Sequence, residues 1–504
     1  MSLHRRRVLA STAAAVLAGV GAAAPGPDYA ALARGIDGRL VLPGDGDYAE
    51  ARQLFQPRYD TVAPAAVAYP AHAGDVAVCV DFARRSAVPV VPRGGGHGYA
   101  GFATRAGGLV VDAGAMAAVV VEGDGVRVGA GARLGDLNAA LAGRGLGVPT
   151  GLCPSVGIAG LTLGGGLGLS SRAHGATCDR LTGARVVTPD GAVREVAADR
   201  HPDLYWALRG GGGGNFGVVT EFRFRAHPVG DCAFAELHWP ADASAAVLRG
   251  WQRWLDGLAD PFWSQVEFTV PSGPEPAGPP AVRVVCLDGR RELERQLTRL
   301  SDLVGAPARD DWIVVRGYGD TVRAMSGCSE QSPAECRLPG VLPGRGPEGR
   351  LGRSSYAARS DFWAGGGLPA PAIGAVLDAV RRYPREAPPG GHAVVQFDGV
   401  CGGALNRVPA GDTAFAHRDA AFLAQYLVGW PDSAPAAEVD RHQRWLDGLW
   451  ADLRPWASGR AYQNYTDPKL TGWREAYYGP NLARLERVRQ AYDPDRLFRF
   501  PQAV

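Results

Sequence analysis

The chain has 504 residues, more than one ordinary hydrophobic core supports, so we expect two domains or one domain with a large insertion. Hydrophobic residues make up 46% and charged residues 21%, and the formal net charge is +2, which is typical of a globular protein. Lys469 is the only lysine and lies in no phosphate-loop motif, which excludes P-loop nucleotidases and pyridoxal enzymes. No basic run is interleaved with aromatic residues, so we predict no nucleic-acid partner.

Residues 1–24 are typical of an export signal, with a basic head followed by a stretch rich in alanine and glycine. Arg5, Arg6 and Arg7, followed by apolar residues, fit the twin-arginine type. An ordinary secretory signal or a disordered tail is the alternative. No later apolar run is long enough to span a membrane, so we predict an exported protein on the extracellular or periplasmic side.

Short strands, helices and glycine-rich loops alternate in the first 229 residues. The patterns predict a helix and a buried strand within 75–92, strands at 107–114 and 125–131, and a helix at 133–145. Three glycine-dense stretches accompany them, at 92–101, 151–175 and 208–228.

The composition changes near residue 230. From there to about 440, strands such as 263–270 alternate with helices such as 291–305, which favours an antiparallel sheet backed by helices. The region 325–352 is loop-like, and the chain ends in an aromatic segment and a helix at 481–494. The fold class is therefore predicted to be α+β.

The eight cysteines are too few for a disulfide scaffold in a chain of this length. No C-x-x-C pair and no H-E-x-x-H sequence occurs, so we predict no metal site. Cys328 and Cys336 lie close together in a loop and either form a disulfide or remain two free thiols. Buried apolar positions are expected for Cys79, Cys178, Cys232 and Cys286.

The glycine-dense stretches predict a ligand with a diphosphate. Glycine lets the backbone approach a ligand, and the free amides of such turns bind phosphate oxygens, although each stretch by itself can be a simple turn. None has the strand, G-x-G-x-x-G and helix context of a Rossmann site. His97 follows three glycines in PRGGGHGYAG, and Cys153 lies in a second such loop. Together they place two nucleophilic atoms against one cofactor.

Five segments, in this order, resemble the berberine-bridge-enzyme-like family of FAD-linked oxidases, within the vanillyl-alcohol-oxidase-type flavoproteins. RGGGHGYAG resembles the family loop whose histidine is bonded to the flavin 8α-methyl group, at His97. GLCPSVG resembles the loop whose cysteine is bonded to flavin C6, at Cys153. The other three are GLTLGGGLGLSSRAHGATCDRL, PDLYWALRGGGGGNFGVVT and the tail that begins YQNYTD.

The resemblance implies a bicovalent FAD and a chain organised around it. The implied segments are the export signal at 1–24, a two-part FAD-binding domain of PCMH type at 25–229, a substrate-binding domain at 230–440, and a C-terminal segment at 441–504 that returns to the FAD-binding domain. The implied FAD contacts are Arg93, Gly94, Gly95, Gly96, His97, Gly98, Cys153, Val156, Gly157, Gly160, Gly164, Gly165, Gly217, Val219 and Asn464.

In the family, the tyrosine directly after an asparagine acts as the catalytic base, which implies Tyr465 here, with Tyr462 as a second candidate. A free tyrosine has a pKa of about 10, so it needs a carboxylate partner or a lowered pKa, and Asp398 is the candidate partner. The residue three after the cysteine gates oxygen, and a valine, here Val156, goes with oxidases. The resemblance thus implies hydride removal from an alcohol group of a sugar, oligosaccharide or secondary metabolite, with O2 as acceptor and H2O2 as product.

Two other functions stay open: a dehydrogenase that uses a quinone or another acceptor, and a flavin-bearing binding protein with a decayed site. A Ser-His-Asp hydrolase is disfavoured because no G-x-S-x-G sequence is present. The chain also departs from the family pattern. Gly98 stands where many relatives have serine, Gly210 to Gly214 is one glycine longer, and one extra residue follows Asp398 before the glycine pair. The substrate and the oligomeric state are not predicted.

Overall fold

The computed structural model describes residues 26–274 and 277–504, so the predicted export signal lies outside the described residues. In the part that is described, the chain forms two large hydrophobic cores, one on each side of a cavity. No helix of this part has the length and apolar character that a membrane span requires.

The first core lies between two sheets. The strands of the four-stranded sheet, in spatial order, are Arg39–Val41, Ala66–Tyr69, Leu109–Asp112 and Val90–Arg93. Those of the five-stranded antiparallel sheet are Val119–Glu122, Gly125–Gly129, Val218–Arg225, Leu181–Val187 and Val193–Ala197. A short pair, Leu146–Gly147 with His227–Pro228, lies beside them. The helix Ala73–Arg85 packs between the two sheets and buries Val76, Cys79 and Val80.

The second core lies beneath a seven-stranded antiparallel sheet. Its strands, in spatial order, are Asp310–Gly317, Asp231–His238, Ala281–Cys286, Phe262–Pro271, His392–Asp398, Phe422–Trp430 and Ser355–Trp363. Side chains alternate between the two faces of a strand. In Phe262–Pro271, Val266, Phe268 and Val270 enter the core, whereas Gln265 and Glu267 line the cavity on the opposite face.

Helices cover the apolar face of this sheet and the outside of the first core. The helices of the described residues are Tyr29–Arg34, Tyr48–Ala51, Ala73–Arg85, Leu134–Ala142, Ile158–Leu163, Ser171–His174, Pro202–Ala207, Ser244–Leu255, Arg290–Val304, Tyr318–Met325, Ala370–Glu386, Gly403–Arg407, Ala436–Leu453, Trp473–Tyr478 and Leu482–Tyr492.

The helix Ala436–Leu453 contributes Trp445, Leu446 and Leu449 to the second core. The C-terminal segment predicted to begin at 441 thus starts within a helix that packs on the seven-stranded sheet. A helix with one apolar face has to stay on the sheet that buries it. The chain crosses to the first core only later, where Tyr477, Tyr478 and Phe498 are buried.

The loop between Met325 and Ser355 connects the two parts. Cys328 and Cys336 are joined in a disulfide, with their Cα atoms 6.0 Å apart. Leu342 then packs among the side chains of the four-stranded sheet. The carboxylate of Glu50 accepts hydrogen bonds from the backbone N–H groups of Val341 and Leu342, at 3.1 and 2.8 Å. A segment of the second domain is thereby fixed against the first.

Candidate functional site

A cavity of about 1100 Å³ lies between the glycine loops of the first domain and the polar face of the seven-stranded sheet. The predicted site residues on its wall are Arg93, Gly94, Gly95, Gly96, His97, Gly98, Cys153, Val156, Gly157, Gly160, Gly217, Val219, Asp398, Tyr462, Asn464 and Tyr465. Segments that are hundreds of residues apart in sequence thus meet at one site.

Gly164 and Gly165, also predicted to contact the cofactor, are not among the wall residues. A Cβ atom at Gly164 would lie 2.0 Å from Oδ1 of Asn464, and one at Gly165 would lie 2.6 Å from the ring of Phe415. In this structure the two glycines let the side chains of Asn464, on the wall, and Phe415 approach the backbone closely.

The glycine loop after the strand Val90–Arg93 touches the loop after Cys153 backbone to backbone. A Cβ atom at Gly95 would lie 2.2 Å from the backbone nitrogen of Gly157, so only glycine allows this approach. Within the described residues, the N–H groups of residues 95–98 make no hydrogen bond. Consecutive free amides beside a cavity suit the oxygens of a diphosphate.

Arg93 holds this loop from behind. Its guanidinium pairs with the buried carboxylate of Asp112 and donates a hydrogen bond to the carbonyl oxygen of Ala51 at 2.6 Å. The residue is 4% exposed. Because its charge is paired with Asp112 in the interior, Arg93 stabilises the loop from behind.

His97 is fixed on two sides. Its ring stacks on Phe55, with centroids 4.0 Å apart and planes 22° apart, and its Nε2 lies 2.9 Å from Oγ of Ser155. Burial, and then the positive charge of Arg133, lowers the pKa of His97 to about 3. The imidazole is therefore neutral at physiological pH, and a lone pair is available on the ring.

Cys153 lies on the same wall, with its side chain exposed to the cavity rather than packed in a core. Burial of the site raises the pKa of its thiol. Val156 lines the wall beside it, and the backbone N–H of Val156 donates to the carbonyl of Cys153 at 3.2 Å. The turn presents both side chains to the same space.

Tyr465 is part of an aromatic cluster across the cavity. Its ring stacks on Tyr99, with centroids 5.4 Å apart and planes 7° apart, and Tyr99 meets Tyr356 edge to face at 5.0 Å. Gln425 Nε2 donates a hydrogen bond to the hydroxyl of Tyr99 at 2.7 Å. Burial, and then the negative charge of Asp398, raises the pKa of Tyr465 well above its ordinary value. The phenol is thus protonated before substrate binds.

The hydroxyl of Tyr462 is occupied. It accepts hydrogen bonds from the backbone N–H of Gly166 at 3.0 Å and from Asn464 Nδ2 at 2.9 Å, and the residue is 2% exposed. Two donors on one buried hydroxyl are typical of a structural role. Of the two predicted tyrosines, the geometry therefore favours Tyr465 as the group that meets substrate.

Asp398 is held by two glutamines. Gln265 Nε2 donates to one carboxylate oxygen at 3.1 Å and Gln396 Nε2 to the other at 2.7 Å. Burial nevertheless raises the pKa of Asp398 to about 7, because the two neutral amides only partly offset the lost hydration. A carboxylate with this pKa is a better proton acceptor than an ordinary aspartate.

The amide of Gln265 is itself oriented. Arg283 Nη1 donates to Gln265 Oε1 at 3.2 Å, and Arg283 also pairs with Glu236 and Glu267. Since the carbonyl end of Gln265 accepts from a cation, its NH₂ end faces Asp398. This row of polar side chains follows the register of neighbouring strands, in which Glu236, Arg283, Gln265 and Asp398 are successive partners.

The sequence reasoning did not assign several of these residues, namely Phe55, Tyr99, Ser155, Gln265, Arg283, Tyr356, Gln396 and Gln425. Tyr99 and Ser155 lie inside the two motifs already quoted, so their positions carried a signal. Gln265 and Gln396 occupy the cavity-facing positions of predicted strands, a weaker signal. Phe55, Tyr356 and Gln425 lie far from any motif and are brought in only by the fold.

Two family comparisons agree with this geometry. Residues 64–197 match the family described as FAD binding domain, and residues 461–504 match the family described as berberine and berberine like. The uncharacterized FAD-linked oxidoreductase YgaK of Bacillus subtilis is 32% identical, over 93% of this chain and 97% of that protein. The (R)-6-hydroxynicotine oxidase of Paenarthrobacter nicotinovorans is 30% identical, over 92% of this chain and 96% of that protein.

Solved structures extend the comparison. BBE-like 1 of Physcomitrella patens has a TM-score of 0.82 at 28% identity, covering 94% of this chain and 98% of its own. The glucooligosaccharide oxidase from Acremonium strictum has a TM-score of 0.82 at 25% identity, covering 93% and 97%, and carries a 6-S-cysteinyl, 8α-N1-histidyl FAD. The fold and site define a flavin-dependent oxidoreductase. The chain belongs to the berberine-bridge-enzyme-like family of FAD-linked oxidoreductases, which confirms the resemblance and the predicted α+β fold.

The residues present fit FAD. The cavity is large enough for an extended dinucleotide, and the free amides of residues 95–98 suit its diphosphate. His97 and Cys153, each a nucleophilic side chain of a glycine loop, lie on the same wall.

Proposed function

We propose that the protein is an exported oxidase that holds FAD covalently through His97 and Cys153 and transfers a hydride from an alcohol group of its substrate. The supporting observation is that a neutral imidazole and an exposed thiol share one cavity wall with Tyr465 and Asp398. Each link replaces a flavin C–H bond by a C–N or C–S bond. Two protons and two electrons leave in each case, and one O2 takes them up as H2O2.

When bound, FAD supplies the two-electron acceptor for the substrate's hydride. The chain supplies the proton path. Tyr465 Oη takes the hydroxyl proton of the substrate while its own proton moves toward Asp398, whose pKa of about 7 makes it a competent acceptor. Stacking on Tyr99 fixes the ring of Tyr465, and the two glutamines fix Asp398.

The electrons leave to O2 in this proposal, so that one alcohol and one O2 give one carbonyl product and one H2O2. The proposal depends on Val156, whose side chain lines the wall next to Cys153. Valine lacks the additional methylene of isoleucine and leaves more space for a diatomic gas. A dehydrogenase that uses a quinone or another acceptor is the alternative, and release of peroxide in air distinguishes the two.

The substrate we propose is a sugar, an oligosaccharide or a hydroxylated secondary metabolite. The sheet face that forms the outer wall carries glutamines, Arg283 and two glutamates, which suit a ligand with many hydroxyl groups. The named relatives act on substrates as different as 6-hydroxynicotine and glucooligosaccharides, so the class is set by this chain's own wall. Export through the segment 1–24, of twin-arginine type, belongs to the same proposal.

The test is a peroxide-release screen of the purified yellow protein against sugars, oligosaccharides, glycosylated natural products and alkaloids. We expect peroxide with a hydroxyl-rich substrate, in equal amount to the product. The matched control is Tyr465→Phe, which keeps the ring and its stacking on Tyr99 but has no hydroxyl. Flavin that no substrate bleaches, in either protein, would instead support a binding protein.

A further inference from the structure

Ser155 is a buried side chain to which the proposed reaction gives no part. It lies two residues after Cys153, is 6% exposed, and makes its side-chain hydrogen bond with Nε2 of His97 at 2.9 Å. We propose that Ser155 is a positioning residue that orients the imidazole of His97 for its bond to the flavin. This inference rests on the proposed covalent link at His97.

The loop that carries Ser155 is rigidly placed. The backbone carbonyls of Pro154 and Val156, on either side of it, accept hydrogen bonds from the N–H groups of Gly135 and Leu134, both at 2.9 Å. These donors belong to the first turn of the helix Leu134–Ala142. The hydroxyl of Ser155 is therefore a fixed point to which another side chain can be oriented.

The loop that carries His97 is fixed to the same platform. Gly95 touches Gly157 through the backbone, and the carbonyl of Gly94 accepts from Arg133 Nη1 at 2.8 Å. Stacking on Phe55 sets the plane of the imidazole but leaves open a 180° flip about the Cβ–Cγ bond, which exchanges each nitrogen with a ring carbon. The hydrogen bond at Nε2 removes that freedom.

The consequence concerns which ring nitrogen reacts. With Nε2 engaged by Ser155, Nδ1 is the nitrogen that makes no hydrogen bond within the described residues, and His97 lines the cavity. A neutral imidazole carries one proton, and the nitrogen without it has the lone pair. For Nδ1 to bond to carbon, Nε2 keeps its proton and donates a hydrogen bond to Ser155 Oγ. Ser155 therefore sets the orientation of the ring and accepts from Nε2–H in the tautomer whose lone pair is on Nδ1.

Gly98 offers the imidazole no hydrogen-bonding side chain from within its own loop. It follows His97 but has no side chain, and a Cβ atom there would meet nothing within 4 Å. The chain places the orienting hydroxyl at position 155 instead, on the loop that also carries the second attachment point. Both proposed links then depend on one turn.

The test uses the Cys153→Ala protein as the parent, so that any covalently bound flavin reports the link at His97. The variants are Ser155→Ala, Ser155→Thr and His97→Ala in this parent. Each protein is incubated with FAD in air, and aliquots are denatured over time. Flavin fluorescence on a denaturing gel and intact mass give the fraction of chains with bound flavin, independently of any substrate turnover.

We expect the Ser155→Ala protein to form the link about tenfold more slowly than the parent, which corresponds to about 1.4 kcal/mol, and Ser155→Thr to restore the rate. FAD bound reversibly before the link forms, and the thermal unfolding temperature, should stay at parental values, which a general structural defect would not allow. Linking by Ser155→Ala at the parental rate overturns the inference. Linking by His97→Ala, or none by the parent, overturns the proposed attachment at His97 itself.

Discussion

Replacing Gly95 by alanine tests the close contact of the two glycine loops. The added Cβ atom would lie 2.2 Å from the backbone nitrogen of Gly157, and ordinary contact begins at 3.4 Å, so one loop has to move by about 1.2 Å. Neither partner is a flexible side chain. Over-packing of this kind typically costs about 1–3 kcal/mol. If the FAD-bound conformation is destabilised by this amount relative to the free protein, the affinity for FAD falls by roughly 5- to 150-fold.

The affinity is measured in a His97→Ala, Cys153→Ala background, where binding is reversible, by quenching of flavin fluorescence. Gly44→Ala is the matched control, because it makes the same chemical change away from the cavity and its Cβ atom meets nothing within 4 Å. We expect the control to bind FAD like its parent. Equal dissociation constants for the Gly95 and Gly44 variants would refute the reasoning, since the steric contact is what separates them.

Three further predictions concern the reaction. Burial raises the pKa of Asp398 to about 7, and its ionised form accepts the proton. We therefore expect kcat/KM to fall about tenfold per pH unit below pH 7 and to level off above it, and Asp398→Asn to abolish this pH dependence. A flat profile of the unaltered enzyme between about pH 5 and 8 would contradict the prediction. Tyr465→Phe should lower kcat by about 10²- to 10⁴-fold. Tyr462→Phe leaves the buried N–H of Gly166 without a partner, so it should lower the free energy of unfolding by about 1–3 kcal/mol. Steady-state kinetics and thermal unfolding separate the two effects, and an equal loss of kcat in both variants would count against this assignment. Val156→Ile should slow reoxidation of the reduced enzyme by O2 in stopped-flow measurements while its reduction by substrate is unchanged; reoxidation at the unaltered rate would exclude the gate.

Local patterns predicted the elements well where each depends on its own residues. The helix and strand within 75–92 are observed as Ala73–Arg85 and Val90–Arg93, and the strand at 263–270 as Phe262–Pro271. The predicted domain limit near 440 falls within the helix Ala436–Leu453. Hydrophobic periodicity shows that a segment has a buried face, but it does not show which of two cores buries that face.

The residues of the candidate site likewise fall into two groups, those that a local motif predicts and those that only the fold brings in. His97, Cys153 and Tyr465 stand in short motifs, and the structure brings all three to one cavity. The family resemblance already ranked Tyr465 before Tyr462, but the contact that occupies the Tyr462 hydroxyl, a hydrogen bond from the backbone N–H of Gly166, comes from a segment almost three hundred residues earlier. The same holds for the two glutamines that hold Asp398.

The sequence by itself determined the chemistry that this chain carries: glycine loops with free amides, a histidine and a cysteine within them, and a tyrosine after an asparagine. These features are local, because backbone freedom and side-chain identity belong to individual residues. The tertiary structure alone decided which of these residues contact one another. His97 and Ser155 are 58 residues apart and Gln265 and Asp398 are 133 apart, and such pairs meet only through packed loops and the register of neighbouring strands. The orientation and the pKa of these side chains follow from those contacts.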